Sequence, residues 1–185
     1  QRCVDAGACT PGNQANEDTY NAPTQPVVDV TWNQANAYAD WLSTELGLRC
    51  TLPTEAQWAY AARGPEALLY PWGNGFDGTC QNYCDSGCAS KDIADKDYND
   101  GYSHTAPVGS YGQWCESWVG AADMAGNVWE WVNDWFAPEY YAESAEKNPR
   151  GPSGGTFRVI RGGGWHSGGG CVSVYYRNAL PQHWV

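Results

Sequence analysis

Residues 65–122 limit the possible folds more than any other part of this chain. Gly, Asp, Asn, Pro and Tyr recur there with neither the 3.6-residue period of a helix nor the two-residue period of a strand. A stretch of that length without regular structure cannot hold itself by ladder hydrogen bonds, so it needs an internal organiser such as disulfides or bound ions. The sequence offers material for both. Eight cysteines, Cys3, Cys9, Cys50, Cys80, Cys84, Cys88, Cys115 and Cys171, form an even set, and the chain has one Met. In a loop-rich chain that combination predicts disulfides and an oxidising compartment, with all eight as candidates and the connectivity open. Zinc is the weaker reading. The thiols of "CQNYCDSGC" are separated by three residues each time, no His lies nearby, and no C-x-x-C occurs.

Charge narrows the choice further. Twenty-one acidic side chains against ten Lys and Arg give a formal net charge of -11. A nucleic-acid backbone would be repelled, and no basic cluster is present, so nucleic acid is excluded as a partner. An acidic surface suits a cation or a basic partner, and for most of the carboxylates it needs no reading beyond solubility. At 185 residues with 42% hydrophobic content, the chain is long enough for one domain with a real core. Eleven Trp and twelve Tyr predict a core of aromatic plates or an aromatic binding surface, with core packing the reading for most of them. No run of residues reads as a transmembrane segment. The chain starts at Gln1 without a visible signal peptide, as it would if one had been removed.

Two helices follow a turn-rich start over residues 1–30. In "TWNQANAYADWLSTELG", Thr31 and Gln34 form a T-x-x-Q capping box, apolar residues follow at helical spacing, and Gly47 ends the run. "LPTEAQWAYAARG" repeats the device with Thr54, Gln57 and Gly64. Strands are expected late, in "NVWEWV", in "FRVIRGGGW" before a tight turn, and in "VSVYYRN". That order gives an α+β fold with two early helices, a small antiparallel sheet and much irregular chain, as a single domain over residues 1–185.

Six ordered blocks, "PVVDVTWNQANAYADWL", "LPTEAQWAYAARG", "YPWGN", "TAPVGSY", "DMAGNVWEWVNDW" and "RVIRGGGW", make the chain resemble the formylglycine-generating enzyme (sulfatase-modifying factor) family between about Pro26 and Pro181. The resemblance implies a variant of the C-type-lectin-like fold and bound calcium. Relative to that pattern both ends look short, as in a fragment. One implied calcium site uses the side chains of Asp123 and Glu130 with the backbone carbonyls of Gly126 and Val128. The other uses Asn82 and Asp100 by side chain and Tyr83 and Tyr102 by carbonyl. Mixed carboxylate and carbonyl ligands suit calcium, which takes six to eight oxygens. Such a site would also explain why Glu130, set between Trp129 and Trp131, is tolerated, since an unpaired buried carboxylate is costly. Read from spacing alone, the same segment is a hairpin whose Glu faces solvent.

Catalytic members of that family oxidise a substrate cysteine to formylglycine with oxygen and copper, using two cysteines after an "RGGS" turn. Here Gly164 stands in place of the serine, Ser167 near the place of the first cysteine, and only Cys171 remains as a thiol. One thiolate is a poor site for soft copper, with Cys115 the nearest further thiol by family layout. An iron-binding branch uses three His, whereas His104, His166 and His183 lie on separate loops. No H-E-x-x-H or phosphate loop occurs. The expected function is therefore a calcium-stabilised, non-catalytic binding or accessory module. It would be secreted, periplasmic or cell-surface and would take a protein or glycan partner, within a larger extracytoplasmic complex or alone. Trp165, His166 and Ser167 in the Gly162–Cys171 loop are the ligand candidates. The alternative is a copper-dependent formylglycine-generating oxidase acting on a protein cysteine.

Overall fold

The computed structural model describes residues 1–184. Its helices are α1 (Arg2–Asp5), α2 (Trp32–Leu46), α3 (Glu55–Arg63) and α4 (Tyr140–Glu143), and its strands are β1 (Glu130–Trp135), β2 (Arg158–Arg161) and β3 (Asn178–Leu180). Both predicted capping boxes form. Gln34 N donates to Thr31 Oγ1 at 3.1 Å while Thr31 N donates to Gln34 Oε1 at 2.8 Å, and Thr54 with Gln57 repeats the exchange at 2.9 and 3.2 Å. Gly47 ends α2 in the left-handed region, where a Cβ would be strained.

The sheet is antiparallel in the order β1–β2–β3. Glu130 pairs with Arg161 and Trp131 with Ile160, and a bulge then shifts Trp135 onto Arg158. One face of β1 turns toward α3. Glu130 accepts a hydrogen bond from the Trp58 indole, Val132 is wholly buried, and Asp134 accepts from Glu55 N at 2.8 Å, capping α3. Trp58 and Ala62 of α3 pack with Val132, Val159, Val174, Met124 and Ala125 as the core.

Three expectations need correction. Residues 172–177 do not form a strand. Val172, Ser173 and Val174 are all buried, Val174 N donates to Leu69 O, and Tyr176 N donates to Ser173 O, so the segment is a packed turn and only Asn178–Leu180 is extended. Nor are aromatic plates the bulk of the core. Trp58 and Tyr83 are buried, but Trp32, Trp72, Trp118 and Trp131 keep their edges at the surface, where their indole N–H groups reach the carbonyls of Val132, Gly75, Tyr60 and Val30. Six of the eight cysteines pair, as Cys3–Cys9, Cys80–Cys115 and Cys84–Cys88. Cys50 and Cys171 are free thiols rather than disulfide partners. Cys50 is held at the end of α2, its N–H donating to Ser43 Oγ, and Cys171 ends a single 3-10 turn beside Tyr176. Among the described residues no helix is long and apolar enough to cross a membrane.

Candidate functional site

The irregular middle is organised around carboxyl groups. Asp85, Asp95, Asn99 and Asp100 each accept from a backbone N–H two residues on, at 2.7–3.0 Å. These are Asx turns, which let a side chain do the work of a ladder. Cys80–Cys115 ties the start of this region to its end, and the buried Asn127 amide clasps Ala106 by both its N–H, at 3.0 Å, and its carbonyl, at 3.1 Å. Buried polar groups paired in this way replace the apolar contacts the segment lacks.

The first implied ion site is assembled by a tightly wound loop. Asp123, Gly126 and Asn127 all have positive φ, at 56°, 79° and 63°. Gly126 is required twice over, because its φ favours glycine and a Cβ there would stand 2.3 Å from Asn82 O. Its N–H donates to Gly162 O, and Met124 O and Val128 O both turn toward Gly162. Asp123 lies close enough to Glu130 to raise its cost of ionisation, and Glu116 does the same to Asp123. Burial pushes Asp123 above the usual carboxylate range, with the Gly109 N–H and the Asn127 side chain pulling back. Glu130 is half-buried as a residue, but its carboxyl is out of water. That desolvation, eased by the Trp58 indole and increased by Asp123, pushes it up to about 7. Among the described residues, ion pairs involve only Glu45 and Glu55, so neither acid has a basic partner. Two desolvated carboxyls without a counter-charge would suit a hard divalent cation, although among the described residues no cluster of three or more acidic, His or Cys side chains is gathered.

The second implied set is only partly gathered. Asp100 is pushed up by burial and accepts from the Tyr111 hydroxyl at 2.6 Å and Tyr102 N at 2.8 Å. Tyr102 O faces Gly87 together with Asp85 Oδ1 and Asn99 Oδ1. The Asn82 amide turns instead to His104 O at 2.7 Å and to Asn127, and Tyr83 O accepts from Asp85 N. Asp85, fully buried and accepting from Asp100 N at 2.6 Å, is the residue the sequence reading missed. Its Asp-Ser-Gly context was a legible turn signal. The two sets share a wall, since Asn82 O accepts from Asn127 N at 2.7 Å.

The Gly162–Cys171 loop rests on this frame. Trp165 N donates to Asn127 O at 2.8 Å, and the Trp165 ring lies between His104 and His166, with centroids 5.0 and 5.1 Å away. His166 is exposed. Ser167 is not available to a ligand: it is buried, its Oγ accepts from Gly164 N, and its carbonyl accepts from Cys84 N. Cys115 is committed to its disulfide and cannot join Cys171.

With this geometry in view, residues 2–182 match the sulfatase-modifying factor enzyme 1-like domain. The chain belongs to the sulfatase-modifying factor family. It is 43% identical over 82% of its length to the formylglycine-generating enzyme of Streptomyces coelicolor and covers 45% of that protein. It is 33% identical over 76% of its length to the inactive C-alpha-formylglycine-generating enzyme 2 of Mus musculus, covering 37% of it. The chain thus spans less than half the length of these relatives. PvdO from Pseudomonas aeruginosa superposes with a TM-score of 0.70 at 28% identity, over 87% of this chain and 58% of that one. The family therefore includes proteins named as active and as inactive, and membership alone does not assign a reaction to this domain.

Proposed function

We propose that this sulfatase-modifying factor domain is a calcium-stabilised, non-catalytic binding or accessory module that works outside the cytoplasm. The observation that carries the reading is the state of the thiols. Between Gly162 and Arg177 only Cys171 has a free Sγ, Ser167 is turned into its own loop, and Cys115 is oxidised. Copper favours paired soft thiolates, so these residues do not fit it. Asp123 and Glu130 by side chain, with the carbonyls of Gly126 and Val128, would hold calcium, whose positive charge would balance the two carboxylates and stiffen the frame on which Trp165 and His166 rest. The exposed His166, backed by the half-buried Trp165, would offer the aromatic surface for a protein or glycan partner. Three disulfides support an extracytoplasmic setting.

The test is incubation with Cu(I), oxygen and a Cys-x-Pro-x-Arg peptide, followed by mass spectrometry. The expected outcome is unchanged peptide. Conversion of the thiol to the aldehyde, abolished by Cys171→Ser, would overturn the reading and make the domain an oxidase.

A further inference from the structure

A second region of the molecule is open to a ligand and shares no lining residue with the candidate calcium sites. A cavity of about 430 Å3 is bounded by α3, by Tyr141 of α4 and by the segment Tyr175–Arg177. That volume falls within the few hundred Å3 typical of small-molecule pockets. Its chemistry runs against the rest of the protein. Arg63, Arg161 and Arg177 line it, three of the ten basic residues in a chain of net charge -11, and no Asp or Glu lines it. Ala56 and Ala59 leave room on the face of α3, and Tyr60, Tyr141 and Tyr175 stand around them with roughly half of each side chain exposed.

The deepest cation is not fully used. Arg161 is 3% exposed; Nη1 donates to Glu55 Oε1 and Nη2 to Val174 O, both at 2.7 Å, but the buried Nε makes no hydrogen bond. Arg177 shares the same Glu55 and has only two long contacts, 3.4 Å each, for Nη1. Arg63 is held by the Ala67 and Leu68 carbonyls and has no acidic partner. One carboxylate therefore faces two guanidinium groups directly, with a third at the rim. A carboxylate is the planar anion that a guanidinium edge matches best, and the apolar, tyrosine-rich remainder calls for an aromatic body.

We propose that this cavity binds a small aromatic carboxylate, its acid group toward the arginines and its ring among Tyr60, Tyr141 and Tyr175. The site is independent of the loop at Trp165 and stands whether or not that loop has a partner. The probe is indole-3-acetate, with the isosteric neutral indole-3-acetamide as its control. Titration calorimetry on the calcium-loaded protein should give one site per chain for the acid and binding about tenfold or more weaker for the amide, the loss expected when one charge-assisted hydrogen bond is removed. Tyr175→Ala and Arg63→Gln, both on the open rim, should each weaken the acid by about tenfold, while Trp114→Ala should leave it unchanged. Equal binding of acid and amide, no binding of the acid up to its solubility limit, or full affinity in both rim variants would overturn the proposal. The comparison of acid and amide needs no variant, so it stands even if a substitution impairs folding.

Discussion

Acids are buried in two different ways in this protein. On the sheet side, Glu55 is 1% exposed and is gripped by Arg161 at 2.7 Å and by Arg177 at 2.6 and 2.9 Å, while Asp134 caps α3. In the irregular middle and the segment that follows it, Asp85, Asp100, Asp123 and Glu130 are taken wholly or partly out of water with hydrogen-bond donors and other acids, but no base, for company. The first region carries its own counter-charges, brought by strands that pair with one another. In the second only Glu130 lies on a strand, and Arg161, opposite it, is turned to Glu55 and Val174, so these acids have no counter-charge from the chain. The difference shows what a bound cation would do here: it would stand in for the arginines that an irregular segment cannot position.

The largest effect should come from Glu55→Gln. It leaves two guanidinium groups facing each other without their shared carboxylate, and breaking a buried pair from one side costs about 3–5 kcal/mol. Urea unfolding should show that loss equally with calcium and with chelator. A loss below about 1 kcal/mol would mean the sheet side does not depend on its charges as described.

Next comes the covalent tie. Cys80→Ala with Cys115→Ala opens a loop of 35 residues, and chain entropy places its contribution at about 4 kcal/mol. The loss should exceed that from Cys84→Ala with Cys88→Ala, where only four residues separate the pair. Equal losses would show that loop closure is not what these bridges contribute.

Calcium removal should act on the second region alone. A ligand present at a hundredfold excess over its Kd stabilises the folded state by about 2.7 kcal/mol. Melting followed against calcium concentration should rise accordingly in the wild-type protein and in Glu55→Gln. A melting temperature indifferent to calcium and chelator removes the ion from the account.

The smallest effect, and the sharpest, belongs to Glu130→Gln. In calcium it should cost about 1 kcal/mol through weaker ion binding. In chelator the sign should reverse or vanish, because an uncharged amide is easier to bury than a carboxylate without a partner. A double cycle of variant against calcium isolates that coupling. Additive behaviour would separate Glu130 from the ion.

Much of this architecture was legible in local pattern. Thr31 with Gln34 and Thr54 with Gln57 announced both long helices, since a capping box is satisfied within four residues and tolerates almost any tertiary setting. The "CQNYC" and "CDSGC" runs announced cross-linking, and two of the three bridges anchor that segment. The loop around Gly126 was legible through its resemblance to a family. Alternation misled at Val172–Arg177, because three successive residues are buried there by packing from both sides, which a two-residue period cannot express. Asp85 escaped because an Asx turn reads the same whether it is exposed or buried.

The sequence by itself determined where the two long helices begin and end, that the middle would need an organiser, and that acids would outnumber bases by a wide margin. Each of these depends on neighbours within a few positions or on composition. The tertiary structure alone decided which acids would be paired. Glu55 meets Arg161 and Arg177 across 106 and 122 residues, and Glu130 meets Trp58 across 72. It also decided that three arginines would share one cavity. Coulomb and desolvation energies depend on distance in space and on the exclusion of water, and neither quantity exists until the chain has closed on itself.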